Sequence, residues 1–94
     1  MKVLIAYDVC TKEDGGPRRL RRVAQACQDY GQRVQKSLFE CQVGAAEWVV
    51  LRQRLLKEID AAQDSLRFYF LDADIRLEHH GVNLPWDLEG PLIV

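Results

Sequence analysis

Near the start of the chain, Val3, Leu4, Ile5, Ala6, Tyr7 and Val9 form an almost unbroken apolar run, interrupted only by Asp8 close to its end. A short run rich in β-forming residues reads as a buried strand over residues 2–9. The segment Thr11 to Pro17 contains Gly15-Gly16-Pro17, which cannot continue a strand, and Pro17 suits the first turn of a helix. Leu20, Val23, Ala24, Cys27 and Tyr30 then recur at the spacing of one helical face, with Gly31 as the expected stop. Strand character returns over 33–43 through Val34, Leu38 and Val43. The alternation falters at Lys36-Ser37, where either a tight turn or a bulge could split the segment. Trp48, Leu51, Leu55, Leu56 and Ile59 predict a second helix, with Arg52, Arg54, Lys57 and Glu58 on its wet side. Residues 65–71 are the last clear strand. Beyond them the pattern reads as a mixed tail holding His79, His80, Gly81, Pro85 and Trp86 and closing on Pro91-Leu92-Ile93-Val94.

The order β-α-β(β)-α-β, with a single apolar stripe on each helix, predicts an α+β fold. Both helices cover one face of a small sheet in a ferredoxin-like sandwich. One domain accounts for residues 1–94, with a core over 1–75 and a tail over 76–94. The apolar ending has no place in that core and is expected to add as a strand to an open sheet edge, on a second copy of the chain.

Composition narrows the class. At 94 residues, 48% hydrophobic and 29% charged, the sequence is that of a soluble globular domain, with no apolar run long enough to span a bilayer. The opening apolar stretch is short, meets an aspartate and lacks a small-residue cleavage site, so no signal peptide is expected. Cys10, Cys27 and Cys41 are odd in number and widely spaced, which reads as reduced thiols in a cytoplasmic protein.

The net charge of −1 conceals a polarity. Residues 17–36 carry Arg18, Arg19, Arg21, Arg22, Arg33 and Lys36 against Asp29 alone, whereas residues 58–94 carry eight acidic side chains against Arg67 and Arg76. Such a chain can present a local basic patch to an anion despite its nearly neutral total.

Three features bear on chemistry. Asp8 ends an apolar strand, where a carboxylate either caps or pairs with a nearby arginine or serves as an oxygen ligand for a hard cation such as Mg²⁺. The arginines after Pro17 are either a solvated helix face or, together with Arg33, a phosphate-tracking stripe that positions a backbone without reading bases. His79 and His80 are neighbours, and on an extended chain they would point to opposite sides, against a joint site. The cysteines and Trp48 read as core, and Trp86 as an anchor onto another surface.

The first strand ending in Tyr7-Asp8, the arginine-rich helix start and the string Arg33-Val34-Gln35-Lys36-Ser37-Leu38-Phe39-Glu40 resemble the CRISPR-associated protein 2 family, the small partner of the integrase that inserts new spacers into CRISPR arrays. The resemblance covers nearly the whole chain. Gly15-Gly16-Pro17 and the Pro-Leu-Ile-Val ending look like the subgroup found with type I-C systems.

The resemblance implies a ferredoxin-like fold and a symmetric homodimer, with Leu92, Ile93 and Val94 crossing to the partner's sheet. It places Asp8 at the dimer interface as the catalytic ligand of Mg²⁺, or of Mn²⁺ in its place. It makes 33–40 a very tight hairpin and assigns nucleic-acid contact to Arg22, Arg33 and Phe39, with Arg18 and Arg19 as part of the same patch. The implied partners are the CRISPR-associated protein 1 integrase and duplex DNA or single-stranded RNA. Two roles follow: a metal-dependent endonuclease and a non-catalytic adaptor bridging integrase dimers. A toxin-like ribonuclease on a similar fold is a third.

Overall fold

Alternation along the first strand sets the layers of the molecule. In β1 (Lys2–Asp8), Val3, Ile5 and Tyr7 are buried while Leu4 and Ala6 are half-covered and Asp8 is exposed, so one side of the strand meets the helices and the other does not. A computed structural model describes residues 1–72 and 76–82. The remaining elements are α1 (Gly16–Tyr30), β2 (Gly31–Gln35), β3 (Leu38–Gln42), α2 (Ala45–Glu58), β4 (Ser65–Phe70) and β5 (Arg76–Gly81). They build an antiparallel sheet in the order β2-β3-β1-β4-β5. Val3, Ile5, Phe39, Cys41, Leu66 and Phe68 meet Val23, Ala26 and Cys27 of α1 and Leu51 and Leu55 of α2 in one fully buried core. Trp48 packs edge-on against Phe68 and Phe70, with ring centroids 4.8 and 5.4 Å apart. No helix among the described residues is long and apolar enough to cross a membrane.

The doubtful segment around Lys36-Ser37 contains both a turn and a bulge. Arg33 pairs with Phe39 but Gln35 already pairs with Leu38, so Val34 is the extra residue and lies half exposed. The turn at Lys36-Ser37 is tied to β1, because the Tyr7 N–H donates to the Ser37 carbonyl at 3.1 Å.

The tail expected from residue 76 is corrected by β5. Arg76–Gly81 pairs along the whole length of β4, from Phe70↔Arg76 to Ser65↔Gly81, and extends the sheet of the same chain. Its helix-facing side carries Arg76, Glu78 and His80 where a core strand would carry apolar residues. It is stable there because Arg52 of α2 forms a two-pronged ion pair with Glu78, His80 bonds the same carboxylate, and the Arg76 guanidinium lies 4.6 Å from the Phe70 ring centre. The expected strand at Leu92, Ile93 and Val94 lies outside the described residues.

The end of the sheet where β1 finishes is locked by a carboxylate absent from the sequence-based expectations. Asp64 is fully buried and accepts four hydrogen bonds: from the backbone N–H of Cys10 (3.0 Å) and Asp60 (2.8 Å), and from Arg19 Nε (2.9 Å) and Nη2 (3.3 Å). The same Nη2 donates to the Cys10 carbonyl at 3.3 Å. Two glycines permit this closeness. A Cβ on Gly16 would lie 2.2 Å from the Cys10 carbonyl oxygen, and one on Gly81, whose φ is +100°, would lie 1.8 Å from that of Asp64. Burial alone would raise the Asp64 pKa, but Arg19 and the backbone donors outweigh it, and the carboxyl is held below its ordinary value.

The lowered folded-state pKa means that Asp64 contributes stability above the ordinary carboxylate range, near pH 4, and that this contribution is lost as pH falls through the folded-state value. Replacing Asp64 by Ala strands Arg19 and should cost about 3–5 kcal/mol in urea unfolding at neutral pH. The variant should also lose part of the wild type's destabilisation in acid. A loss below about 1 kcal/mol would show that the clamp does not hold this end together.

Candidate functional site

The side chain of Asp8 lies on the sheet face opposite the helices. Its cross-strand partner is Ser65, and the next pair on the same face is Ala6↔Arg67. Ala6, Tyr7, Asp8, Ser65 and Arg67 line an open depression of about 240 Å³. Ser65 Oγ is 3.4 Å from His79 Nε2, which in turn lies 2.8 Å from the Val82 carbonyl oxygen. His80, on the other face, bonds Glu78, so the two histidines do diverge as the extended pattern required. Both belong to β5 rather than to a tail.

The face opposite the helices also carries an apolar strip. Leu4, Ala6, Leu38, Tyr69 and Leu77 share it by register and are half-covered, with no helix over them among the described residues.

Strand directions bring the expected basic residues to the same end as Asp8. β2 runs parallel to β1 through their shared neighbour β3, so the Lys36-Ser37 turn lies beside Tyr7-Asp8, and α1 begins at that end before running back along the sheet. Arg18 and Arg21 are exposed and form no ion pair among the described residues, whereas Arg22 is 3.5 Å from Glu58 and still half exposed. Arg33 lies over the Phe39 ring, its guanidinium carbon 4.7 Å from the ring centre, and donates to the Lys36 carbonyl.

Two expected contact residues are reassigned. Phe39 is fully buried, packed against Tyr7 with ring centroids 6.2 Å apart, and cannot stack on a base; it supports Arg33 from beneath. Arg19 is committed to Asp64 with its side chain mostly covered, and leaves the patch. The four-arginine run carried no sign of this division, because its partner lies 45 residues away in sequence. Ser65, Arg67 and His79 reach the Asp8 face only through β4 and β5 pairing, and one of those strands had not been expected.

No cluster of three or more His, Cys, Asp or Glu side chains that could hold a metal occurs among the described residues. Among the described residues that line the depression, Asp8 is the one carboxylate. Its hard oxygen donors, exposed among the described residues, fit Mg²⁺ or Mn²⁺, ions that take few protein ligands and keep water in their other positions. The Cys27 and Cys41 thiols are poor candidates for chemistry: burial pushes Cys27 up to about 12 and Cys41 up to about 11.

Comparison with known proteins agrees with this fold. A family model described as CRISPR associated protein Cas2 matches residues 1–76. The chain is 57% identical over 96 residues to the CRISPR-associated endoribonuclease Cas2 of Nitratidesulfovibrio vulgaris, spanning 100% of this chain and 94% of that one. It is 50% identical over 95 residues to the CRISPR-associated endonuclease Cas2 of Halalkalibacterium halodurans, spanning 99% of each. The crystal structure of Streptococcus pyogenes Cas2 at pH 6.5 superposes with a TM-score of 0.70 at 55% identity, over 76% of this chain and 86% of that one.

Proposed function

The chain belongs to the CRISPR-associated Cas2 family, and from that premise we propose that it works as a homodimer in spacer acquisition, binding duplex DNA alongside the integrase in the cytoplasm and cleaving nucleic acid at a site shared by two copies of Asp8. The observation that carries this reading is the position of Asp8: an exposed carboxylate at the end of a core strand, on the sheet face that the helices leave bare. Burying the apolar strip of that face against a second copy would bring two such carboxylates toward each other.

Asp8 is the residue that would hold Mg²⁺ or Mn²⁺. Facing carboxylates repel, and a divalent cation between them removes that repulsion. When bound, such an ion lowers the pKa of a coordinated water and offsets charge on the phosphate, which suits phosphodiester hydrolysis of single-stranded RNA or double-stranded DNA. Arg18, Arg21, Arg22 and Arg33 supply a separate, sequence-independent hold on the phosphate backbone. Their exposure at one end of the sheet supports the adaptor role alongside cleavage, because a backbone hold of this kind does not depend on Asp8.

Cleavage of end-labelled duplex DNA and single-stranded RNA, compared in Mg²⁺, Mn²⁺ and chelator, tests the catalytic part. Asp8→Ala should lower the metal-dependent rate at least about 100-fold, while duplex binding persists. Metal-dependent cleavage that survives the substitution would refute it. For the adaptor part, Arg18→Ala and Arg21→Ala should each reduce the slope of log K against log salt by about 1 in duplex binding. Capture of the integrase by an immobilised wild-type chain should accompany this. An unchanged slope would return both arginines to a merely solvated helix face.

A further inference from the structure

We propose that Lys36, at the tip of the turn between β2 and β3, is the cation that holds a substrate phosphate beside the Asp8 site. This rests on the reading of Asp8 given above and adds to it the side chain that keeps the nucleic-acid strand against that site.

The placement comes from the β1–β3 ladder. Its last pair is Ala6↔Leu38, and the Tyr7 N–H then donates to the Ser37 carbonyl at 3.1 Å. One further step along the same antiparallel line brings Lys36 level with Asp8, on the opposite flank of β1 from Ser65. The backbone of Lys36 is fixed there, because its carbonyl accepts from Arg33 Nη1 and from the Tyr7 hydroxyl at 3.5 Å. Its side chain is exposed and enters no ion pair among the described residues. The turn therefore leans on the Lys36 carbonyl, which any substitution keeps, and leaves the ammonium unspent. The tip also lies beyond the apolar strip, whose last residue on β3 is Leu38. Burying that strip against a second copy puts Lys36 at the rim of the interface and not beneath it.

The two cations of this hairpin are built for different work. Arg33 is held over the Phe39 ring and tied to the Lys36 carbonyl, so its guanidinium is fixed on the helix side of the sheet. The Lys36 ammonium is a compact charge on a flexible four-carbon stem with three rotatable donors. It can follow a phosphate backbone from Arg33 round the tip toward the face that carries Asp8. Two Asp8 carboxylates and one divalent cation sum to zero, so a phosphodiester arriving there brings an uncompensated negative charge. An ammonium at the rim compensates that charge without taking a ligand position on the cation. Such a hold is present before and during the reaction alike, so it acts on KM and leaves kcat nearly alone.

The test compares Lys36→Ala, Lys36→Arg and Lys36→Glu with wild type and Asp8→Ala. In Mg²⁺, Lys36→Ala should raise KM about two- to fivefold with kcat nearly unchanged. Lys36→Arg should stay close to wild type, and Lys36→Glu should raise KM further. A second readout locates the charge. At low salt, Lys36→Ala should tighten Mn²⁺ binding about two- to fivefold by electron paramagnetic resonance, because a cation beside the site repels the ion. Lys57→Ala, in the helix layer, should not change it. A metal-free arm measures binding of a short DNA duplex in chelator, where Lys36→Ala should reduce the slope of log K against log salt by about 1 for each copy in contact. An unchanged KM and an unchanged slope in Lys36→Ala, with cleavage still abolished by Asp8→Ala, would overturn the assignment of Lys36 and leave the Asp8 reading intact. A dimer that falls apart in sedimentation on Lys36→Ala while the slope stays constant would also overturn it, by placing the ammonium in the interface. If wild type shows no Asp8-dependent cleavage or Mn²⁺ binding, the Asp8 reading falls, and the duplex arm alone decides whether Lys36 holds a phosphate.

Discussion

The buried pair of Asp64 and Arg19 governs how the functional end of this molecule is built. A carboxylate with no exposure is tolerable only when its oxygens are satisfied, and here one guanidinium and two backbone N–H groups share that task. The pair joins the chain just after β1, the first turn of α1, the loop ahead of β4 and, through the Val82 N–H to the Asp64 carbonyl, the end of β5. These segments come from both ends of the described chain. The clamp reinforces the ladder that holds the end of β1 in register with the start of β4, and that register sets Asp8 opposite Ser65.

Fixing this end divides the arginines by task. Arg19 is spent on structure, which draws the first turn of α1 down onto Cys10 and leaves Arg18 and Arg21 facing water. Arg33 is held by a second device, the Phe39 ring beneath it and the Lys36 carbonyl beside it. The bulge at Val34 makes that possible, because it allows the turn to close against Tyr7 while Arg33 keeps its place over the ring. One end of a small sheet thus carries a carboxylate on its bare face and cations around its rim, with aromatic packing supporting both.

What could be read from the residues alone follows the physics of each feature. Apolar periodicity reports burial directly, so β1, α1, α2 and β4 were legible, as was the position of Asp8 at a strand end. The hairpin needed more, since a turn and a bulge leave the same broken alternation at Lys36-Ser37; the family resemblance supplied the turn. β5 was hidden because its helix-facing residues are charged, and they become acceptable only once Arg52 and Phe70 are in place. Phe39 and Arg19 were misassigned for a related reason. The family resemblance alone had put Phe39 on the nucleic-acid face, and an arginine among arginines looks like a surface residue until its long-range partner Asp64 is known. Long-range ionic pairing is the part of the fold that leaves the least trace in local pattern.

The central claim is that two copies of the chain complete one cation site through Asp8. The stoichiometry of Mn²⁺ binding to the purified dimer, read by electron paramagnetic resonance alongside the sedimentation mass, tests it most directly. The account predicts one ion per two chains, abolished by Asp8→Ala while the dimer persists. One ion per chain, or binding indifferent to Asp8, would contradict it.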